Sequence, residues 1–303
     1  FRLASIGIHQ KLERLHNHCL IASENYFTTE AQIHRRFEVT FIPELAVLFN
    51  NLAVATGWKL DKNVEAKLVL ETRASKPDSI TKMLDRLWRL SSKEMPTIGI
   101  DLFDNPAGNK TAVVYIPGTQ SFGFGDGDNP LDMASNIQAM GGAGSAASEK
   151  AVLLAIRQAG INSSDEVILV GHSQGGMVAG NIAANPSGFI AAGLITFGAP
   201  LAQLRNLKAP VMAVEHSNDP VPNLSGKANP LKKNWVSVQR VSSKAESNAV
   251  LFSHSLKSYK NTTLEIDTSA DAGIKNIKTQ LMRKLDGARP TKSLEFQISR
   301  ESR

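Results

Sequence analysis

The chain has 303 residues, of which 42% are hydrophobic and 20% are charged. This composition excludes disordered, fibrous and low-complexity proteins and supplies enough apolar side chains for a full core. The formal net charge is +6, but the basic residues are spread from Arg2 to Arg303 and form no long block. The charge therefore favours an ordinary solvated surface over a nucleic-acid site.

The single cysteine, Cys19, excludes an internal disulfide and a zinc site built from cysteines. The longest apolar stretch, Phe189 to Leu201, is interrupted by Gly, Thr and Pro and is shorter than the roughly 20 residues of a membrane span. Because the chain begins at Phe1 rather than at Met, we expect a processed or truncated product of a protein that is secreted or associated with the cell envelope.

The first 95 residues predict an α-helical region. Steps of three and four residues place a set of apolar side chains on one helical face: Ile8, Leu12, Leu15, Cys19, Ala22 and Tyr26. Further helical patterns run from about residue 30 to 55 and from Asp78 to Leu90. Such helices would cap the rest of the chain, dimerise it, or dock a partner or membrane surface. The histidines near the start lie on different helical faces, so we expect no metal site there.

From Pro96 to the end, strands alternate with helices. Strands are predicted over residues 97–103 and 111–116, joined as a hairpin, and then over 167–170, 190–197, 211–215 and 235–241. Helices are predicted over residues 148–159 and 175–184. This alternation predicts an α/β domain over residues 96–303, with a mostly parallel sheet covered by helices on both faces.

A glycine-rich segment over residues 122–148 interrupts this alternation and is predicted to be a solvated loop or a lid. Its glycines do not form a dinucleotide-binding fingerprint, because none opens a helix directly after a strand. Asp126, Asp128 and Asp132 are spaced as in a calcium loop, but Leu131 stands where an EF-hand needs glycine. We therefore expect neither a metal nor a cofactor.

The stretch over residues 167–179 has the pattern of a nucleophile elbow. A hydrophobic strand runs into Gly171-x-Ser173-x-Gly175 and then into a helix of small residues. A tight strand-to-helix turn leaves no room for side chains two residues before and after the serine, which accounts for both glycines. The turn exposes the hydroxyl at a helix N-terminus, which favours developing negative charge. Ser173 is therefore the predicted nucleophile.

This elbow, Gly-His-Ser-Gln-Gly-Gly over residues 171–176, resembles that of the α/β-hydrolase superfamily, within it the class 3 lipases and cutinase-like serine esterases. Residues 196–200, Thr-Phe-Gly-Ala-Pro, are similar to the Thr-Phe-Gly-x-Pro run of class 3 lipases. Residues 218–222, Asn-Asp-Pro-Val-Pro, resemble the segment that bears the triad acid. The likeness covers about residues 96 to 259, and it implies the α/β-hydrolase fold. Residues 117–119, Pro-Gly-Thr, depart from the usual His-Gly oxyanion pattern.

The resemblance implies that Asp219 and His254 complete a catalytic triad with Ser173. Two histidines follow the elbow, and the family order of serine, acid and histidine selects His254. His216 lies three residues before Asp219, too close to be its base, so we expect it to be structural or to line a pocket. The alternative acids are Glu215 and Asp267.

These residues predict a serine hydrolase that cleaves carboxylic esters of acyl or lipid substrates through an acyl-enzyme. The backbone N–H groups of Thr119 and Gln174 are the predicted oxyanion hole, although the segment at Thr119 is equally consistent with a simple turn. Three apolar side chains are candidates for the acyl-chain site, or else belong to the core: Phe122, Phe124 and Met177. Acyl transfer, thioester cleavage and a non-catalytic envelope-associated binding module remain open, as do the chain length of the substrate and the oligomeric state.

Overall fold

A computed structural model describes residues 63–119, 128–132, 146–204, 206–242 and 252–300. Within these ranges, eight strands form one sheet in the order β1-β8-β2-β3-β4-β5-β6-β7. The strands are β1 (Val64–Arg73), β2 (Thr97–Asp104), β3 (Lys110–Ile116), β4 (Glu166–His172), β5 (Ile190–Phe197), β6 (Val211–His216), β7 (Trp235–Arg240) and β8 (Arg289–Arg300). The helices are α1 (Ile80–Ser91), α2 (Ala147–Gln158), α3 (Gln174–Ala184), α4 (Leu256–Thr268) and α5 (Ala272–Arg283), with a short 3-10 helix at Pro222–Ser225.

The sheet is mostly parallel. The five neighbouring strands from β3 to β7 run parallel to one another, while β2, β8 and β1 continue the sheet with antiparallel pairing. The predicted α/β class is thereby confirmed, as is the β2–β3 hairpin. Each strand and helix predicted after Pro96 is present within one or two residues of its expected bounds.

Helices cover both faces of this sheet. Successive residues of β4 point to opposite sides: Leu169 packs with Val178 of α3, whereas Ile168 packs in the cluster that contains Leu281 of α5. All four side chains are fully buried. A strand buried on both faces is expected to be apolar at every position, which is why β4 has no alternating pattern. No helix in the described ranges is both long and apolar enough to cross a membrane.

The helical prediction for the first 95 residues was correct for α1 and wrong for residues 64–73. These residues form β1, which pairs antiparallel with β8 at the far end of the chain. Neither β1 nor β8 was predicted, because the pairing that stabilises them is between segments more than 200 residues apart, and no local period reveals it. The helical patterns before residue 63 lie outside the described residues and stay predictions.

The carboxylate of Asp267, one of the alternative acids, ties the end of α4 to the start of α1. It accepts hydrogen bonds from the backbone N–H groups of Ile80 and Thr81, each at 3.0 Å, and from the hydroxyl of Thr81 at 2.7 Å. The first N–H groups of a helix have no partner within the helix. Asp267 therefore caps α1 from a neighbouring helix.

We expect Asp267→Ala to lower the free energy of unfolding by about 2 kcal/mol, because it leaves these N–H groups without an acceptor. Urea denaturation measures the change. Asp271→Ala is the matched control, since Asp271 accepts from the N–H of Ile274 at the exposed start of its own helix α5, and its loss should be smaller. Equal losses in the two variants would contradict the capping role.

Candidate active site

Ser173 lies in the turn between β4 and α3 and has a strained backbone. Its φ is 53° and its ψ is −124°, and it is the only residue other than glycine with a positive φ in the described part of the chain. Such a conformation costs on the order of 1–3 kcal/mol and persists only where its surroundings hold it. The N–H of Ser173 donates to the carbonyl of Phe197 in β5 at 2.9 Å. The predicted strand-to-helix turn is therefore present and is anchored to the next strand.

The two glycines of the elbow are required by close backbone approach. A Cβ on Gly171 would lie 2.3 Å from the carbonyl oxygen of Gly175, and a Cβ on Gly175 would lie 2.1 Å from that of Ile116 in β3. Backbone atoms cannot move away from such a contact, as the end of a flexible side chain can. The steric reason given for glycine at both positions is confirmed, and β3 is part of it.

Asp219 and His254 are joined by a hydrogen bond of 2.7 Å between Asp219 Oδ2 and His254 Nδ1. Asp219 follows β6 and is fully buried, and His254 lies two residues before α4. Because an ionised carboxylate can only accept, the proton of the imidazole lies on Nδ1 and Nε2 is left as an acceptor. This is the tautomer that a general base needs.

Three donors keep the buried Asp219 carboxylate ionised. Burial by itself raises its pKa, but hydrogen bonds from His254, from the hydroxyl of Tyr259 at 2.7 Å and from the N–H of Val221 at 2.9 Å outweigh burial, and the pKa lies below its usual value. Tyr259 was not predicted as a site residue. No motif marks it, since it is identified by its contact with Asp219 alone.

The end of strand β5 contacts both Ser173 and this pair. The carbonyl of Phe197, its last residue, accepts from the N–H of Ser173, and the next residue, Gly198, lies against the pair. A Cβ on Gly198, whose φ is 59°, would lie 2.9 Å from Asp219 Oδ2 and 3.0 Å from His254 Nδ1. The carboxyl end of β5 thus contacts both the turn at Ser173 and the pair of Asp219 and His254.

The predicted oxyanion segments both lie beside Ser173. Gln174 is the first residue of α3, so its N–H has no acceptor within the helix, and its side-chain amide donates to the carbonyl of Asp132 at 3.1 Å. Gly118 and Thr119 follow β3, and a Cβ on Gly118 would lie 3.1 Å from the Cβ of Ser173. This places two backbone segments where they can face a group bound to the serine.

Of the predicted acyl-chain residues, Met177 lies one helical turn after Ser173 and packs against Ala146 at the start of α2. It is 6% exposed. Phe122 and Phe124 lie outside the described residues.

His216 and Glu215 have partners of their own. The ring of His216 stacks on Tyr259 with centroids 4.0 Å apart, and its two nitrogens lie 2.7 Å from the carbonyl of Ser253 and 2.8 Å from the hydroxyl of Thr262. This agrees with the expected structural role. Glu215 accepts from the amide of Asn229 at 2.6 Å, and burial raises its pKa.

Of the three aspartates spaced as in a calcium loop, Asp126 lies outside the described residues. Asp132 forms a buried bidentate ion pair with Arg300 at the end of β8, with N–O distances of 2.8 and 2.9 Å. Across the described ranges, no group of three or more His, Cys, Asp or Glu side chains is placed to hold a metal ion.

No protein-family model matches the chain, and neither a curated protein nor a solved structure is significantly similar to it. Inference about its activity therefore depends on the geometry described above.

The neutral ring of His172 makes stability depend on pH. Burial, with the neighbouring His254 adding to the effect, lowers the pKa of His172 from its usual 6.5 to about 3. Between these values the unfolded chain binds a proton that the folded chain does not, so the free energy of unfolding falls as the pH is lowered from 6.5 towards 3. His172 changes the free energy of unfolding by at most about 1.4 kcal/mol per pH unit.

We expect His172→Gln to flatten this dependence, because the variant has no group that titrates at the position. Urea denaturation of both proteins at pH 7, 6, 5 and 4 measures the two slopes. His216 also has a pKa lowered by burial, and it is left in place in both proteins, so that the difference reports His172. Identical slopes would contradict the prediction.

Proposed function

We propose that this protein is a serine hydrolase with the α/β-hydrolase fold, which cleaves carboxylic esters through an acyl-enzyme intermediate. The observation that carries the proposal is that Ser173, held at positive φ in a strand-to-helix turn, donates its N–H to the end of β5, whose next residue, Gly198, approaches the hydrogen-bonded pair of Asp219 and His254. Ser173 directly follows β4 and Asp219 follows β6, two strands of the parallel part of the sheet, and this position supports the fold assignment.

In the first step, the hydroxyl oxygen of Ser173 attacks the acyl carbonyl carbon while Nε2 of His254 takes the hydroxyl proton. The hydrogen bond from Nδ1 to Asp219 leaves Nε2 as the acceptor. The lowered pKa of Asp219 keeps its carboxylate charged, and this charge stabilises the imidazolium that forms. His254 then returns the proton to the leaving alcohol, and water attacks the acyl-enzyme by the same route.

Negative charge that develops on the carbonyl oxygen is stabilised by the backbone N–H groups of Gln174 and Thr119. Gln174 opens α3, so the positive end of the helix dipole adds to its N–H. A donor of this kind contributes about 3 kcal/mol to transition-state stabilisation. Acyl transfer and thioester cleavage pass through the same acyl-enzyme, and analysis of the products separates them from hydrolysis.

We expect the wild-type protein to hydrolyse p-nitrophenyl esters and Ser173→Ala to lose at least about 10³-fold in kcat, because no nucleophile is left. A series of acyl chains from about two to sixteen carbons, assayed at neutral and mildly alkaline pH, gives the preferred length. Ser225→Ala is the matched control, since Ser225 is a buried serine that bonds to the carbonyl of Pro222. If no ester is cleaved and a fluorophosphonate does not label Ser173, the proposal fails and a binding role gains support.

The acid is tested by Asp219→Asn against Glu215→Gln, which changes a buried carboxylate in β6, the strand that precedes Asp219. Asp219→Asn should lower kcat on the order of 10⁴-fold, because an amide disfavours the Nδ1–H tautomer of His254. Glu215→Gln should keep wild-type kcat, since Glu215 is bonded to Asn229 and Gln239. Comparable losses in both variants would point to damage to the fold and would contradict the assignment of Asp219.

A further inference from the structure

His172, the residue directly before the nucleophile, contacts the base at two points. Its Nε2 lies 2.8 Å from the backbone carbonyl oxygen of His254. The two imidazole rings also face each other, with centroids 4.7 Å apart and planes tilted by 32°. These contacts join residues 82 positions apart in the chain.

The partner of His172 determines its tautomer. A carbonyl oxygen can only accept a hydrogen bond, so Nε2 of His172 carries the proton and donates it. Its Nδ1 is then the unprotonated nitrogen, and it lies 3.0 Å from the position that a Cβ on Gly118 would occupy. The neutral ring therefore donates a hydrogen bond to the backbone carbonyl of His254, and its nitrogen near Gly118 carries no proton.

The turn that carries the base, residues 252–255, is held by groups from separate elements. The ring of His254 is fixed by Asp219, the hydroxyl of Ser253 donates to the carbonyl of Asn218 at 3.0 Å, and the carbonyl of His254 accepts from His172. The first two contacts tie the turn to the segment after β6. The contact with His172 ties it to β4 and hence, by one peptide bond, to Ser173.

We propose that His172 is a positioning residue that sets the distance between Ser173 and His254 by holding the backbone carbonyl of His254. The inference rests on the proposed function. The other hydrogen bonds to the base turn that are described above come from β6 and the segment after it, so this hydrogen bond is the one that joins the backbone of the base turn to the strand that carries the nucleophile. A shift of about 1 Å between reacting groups can cost on the order of 100-fold in rate, so loss of the contact should act on kcat and not on substrate binding.

The experiment compares His172→Gln with His172→Asn. Both side chains are uncharged amides, but the amide nitrogen of glutamine reaches about as far as Nε2 of histidine, while that of asparagine reaches only as far as Nδ1. We expect Asn to lower kcat for a p-nitrophenyl ester by about 10- to 100-fold with KM unchanged, and Gln to recover most of the loss. His172→Leu is a second variant without a donor, for use if the Asn variant does not fold.

Wild type and His254→Ala are assayed in parallel to separate the two ideas. Equal turnover by these two proteins would refute the proposed function itself. If His254→Ala is inactive but the folded Asn or Leu variant has wild-type kcat, or if the Gln variant is no more active than the Asn variant, the positioning role of His172 is overturned while the triad stands.

Discussion

The buried charge of Asp219 is the constraint around which the candidate site is arranged. An ionised carboxylate with no exposed surface is unfavourable unless hydrogen bonds replace the water it has lost. The donors here are His254 from the turn before α4, Tyr259 from α4 itself and Val221 from the segment after β6. These donors lie in the turn before α4, in α4 and in the segment after β6, so satisfying this one carboxylate holds these three parts of the chain relative to one another.

A second constraint acts on the backbone conformation of Ser173. Ser173 is held in a strained conformation by backbone contacts with its neighbours, through the carbonyl of Phe197 on one side and the close approach of Gly175 to Ile116 on the other. The strands β3 and β5 therefore both contact the turn between β4 and α3 and hold it in place. Gly198 follows the residue that binds Ser173 and also approaches the carboxylate of Asp219. Its backbone is left-handed, and the absence of a side chain leaves room for that carboxylate.

Three acidic side chains were candidates for the triad acid, and their partners distinguish them. Asp219 faces a histidine, Glu215 faces two amides, and Asp267 caps a helix. All three are at least partly buried, so burial alone does not mark the functional acid. Burial does not distinguish the histidines of this region either, since His172 and His216 are both buried and each donates to a backbone carbonyl of the turn that carries His254.

The sequence by itself determined the local features: the elbow around Ser173, the β2–β3 hairpin and the apolar strands from β4 to β7. Each of these follows from short-range sterics or from the period of apolar residues, which a single segment contains in full. The resemblance to α/β-hydrolases selected Asp219 and His254 among the available acids and histidines. Only the tertiary structure decided that these two touch, that β1 and β8 extend the sheet, and that Tyr259 and His172 contact this pair. Those contacts join residues from 35 positions to more than 200 positions apart, and they depend on how α4 packs against β6 and on pairing across the sheet, which no local pattern encodes.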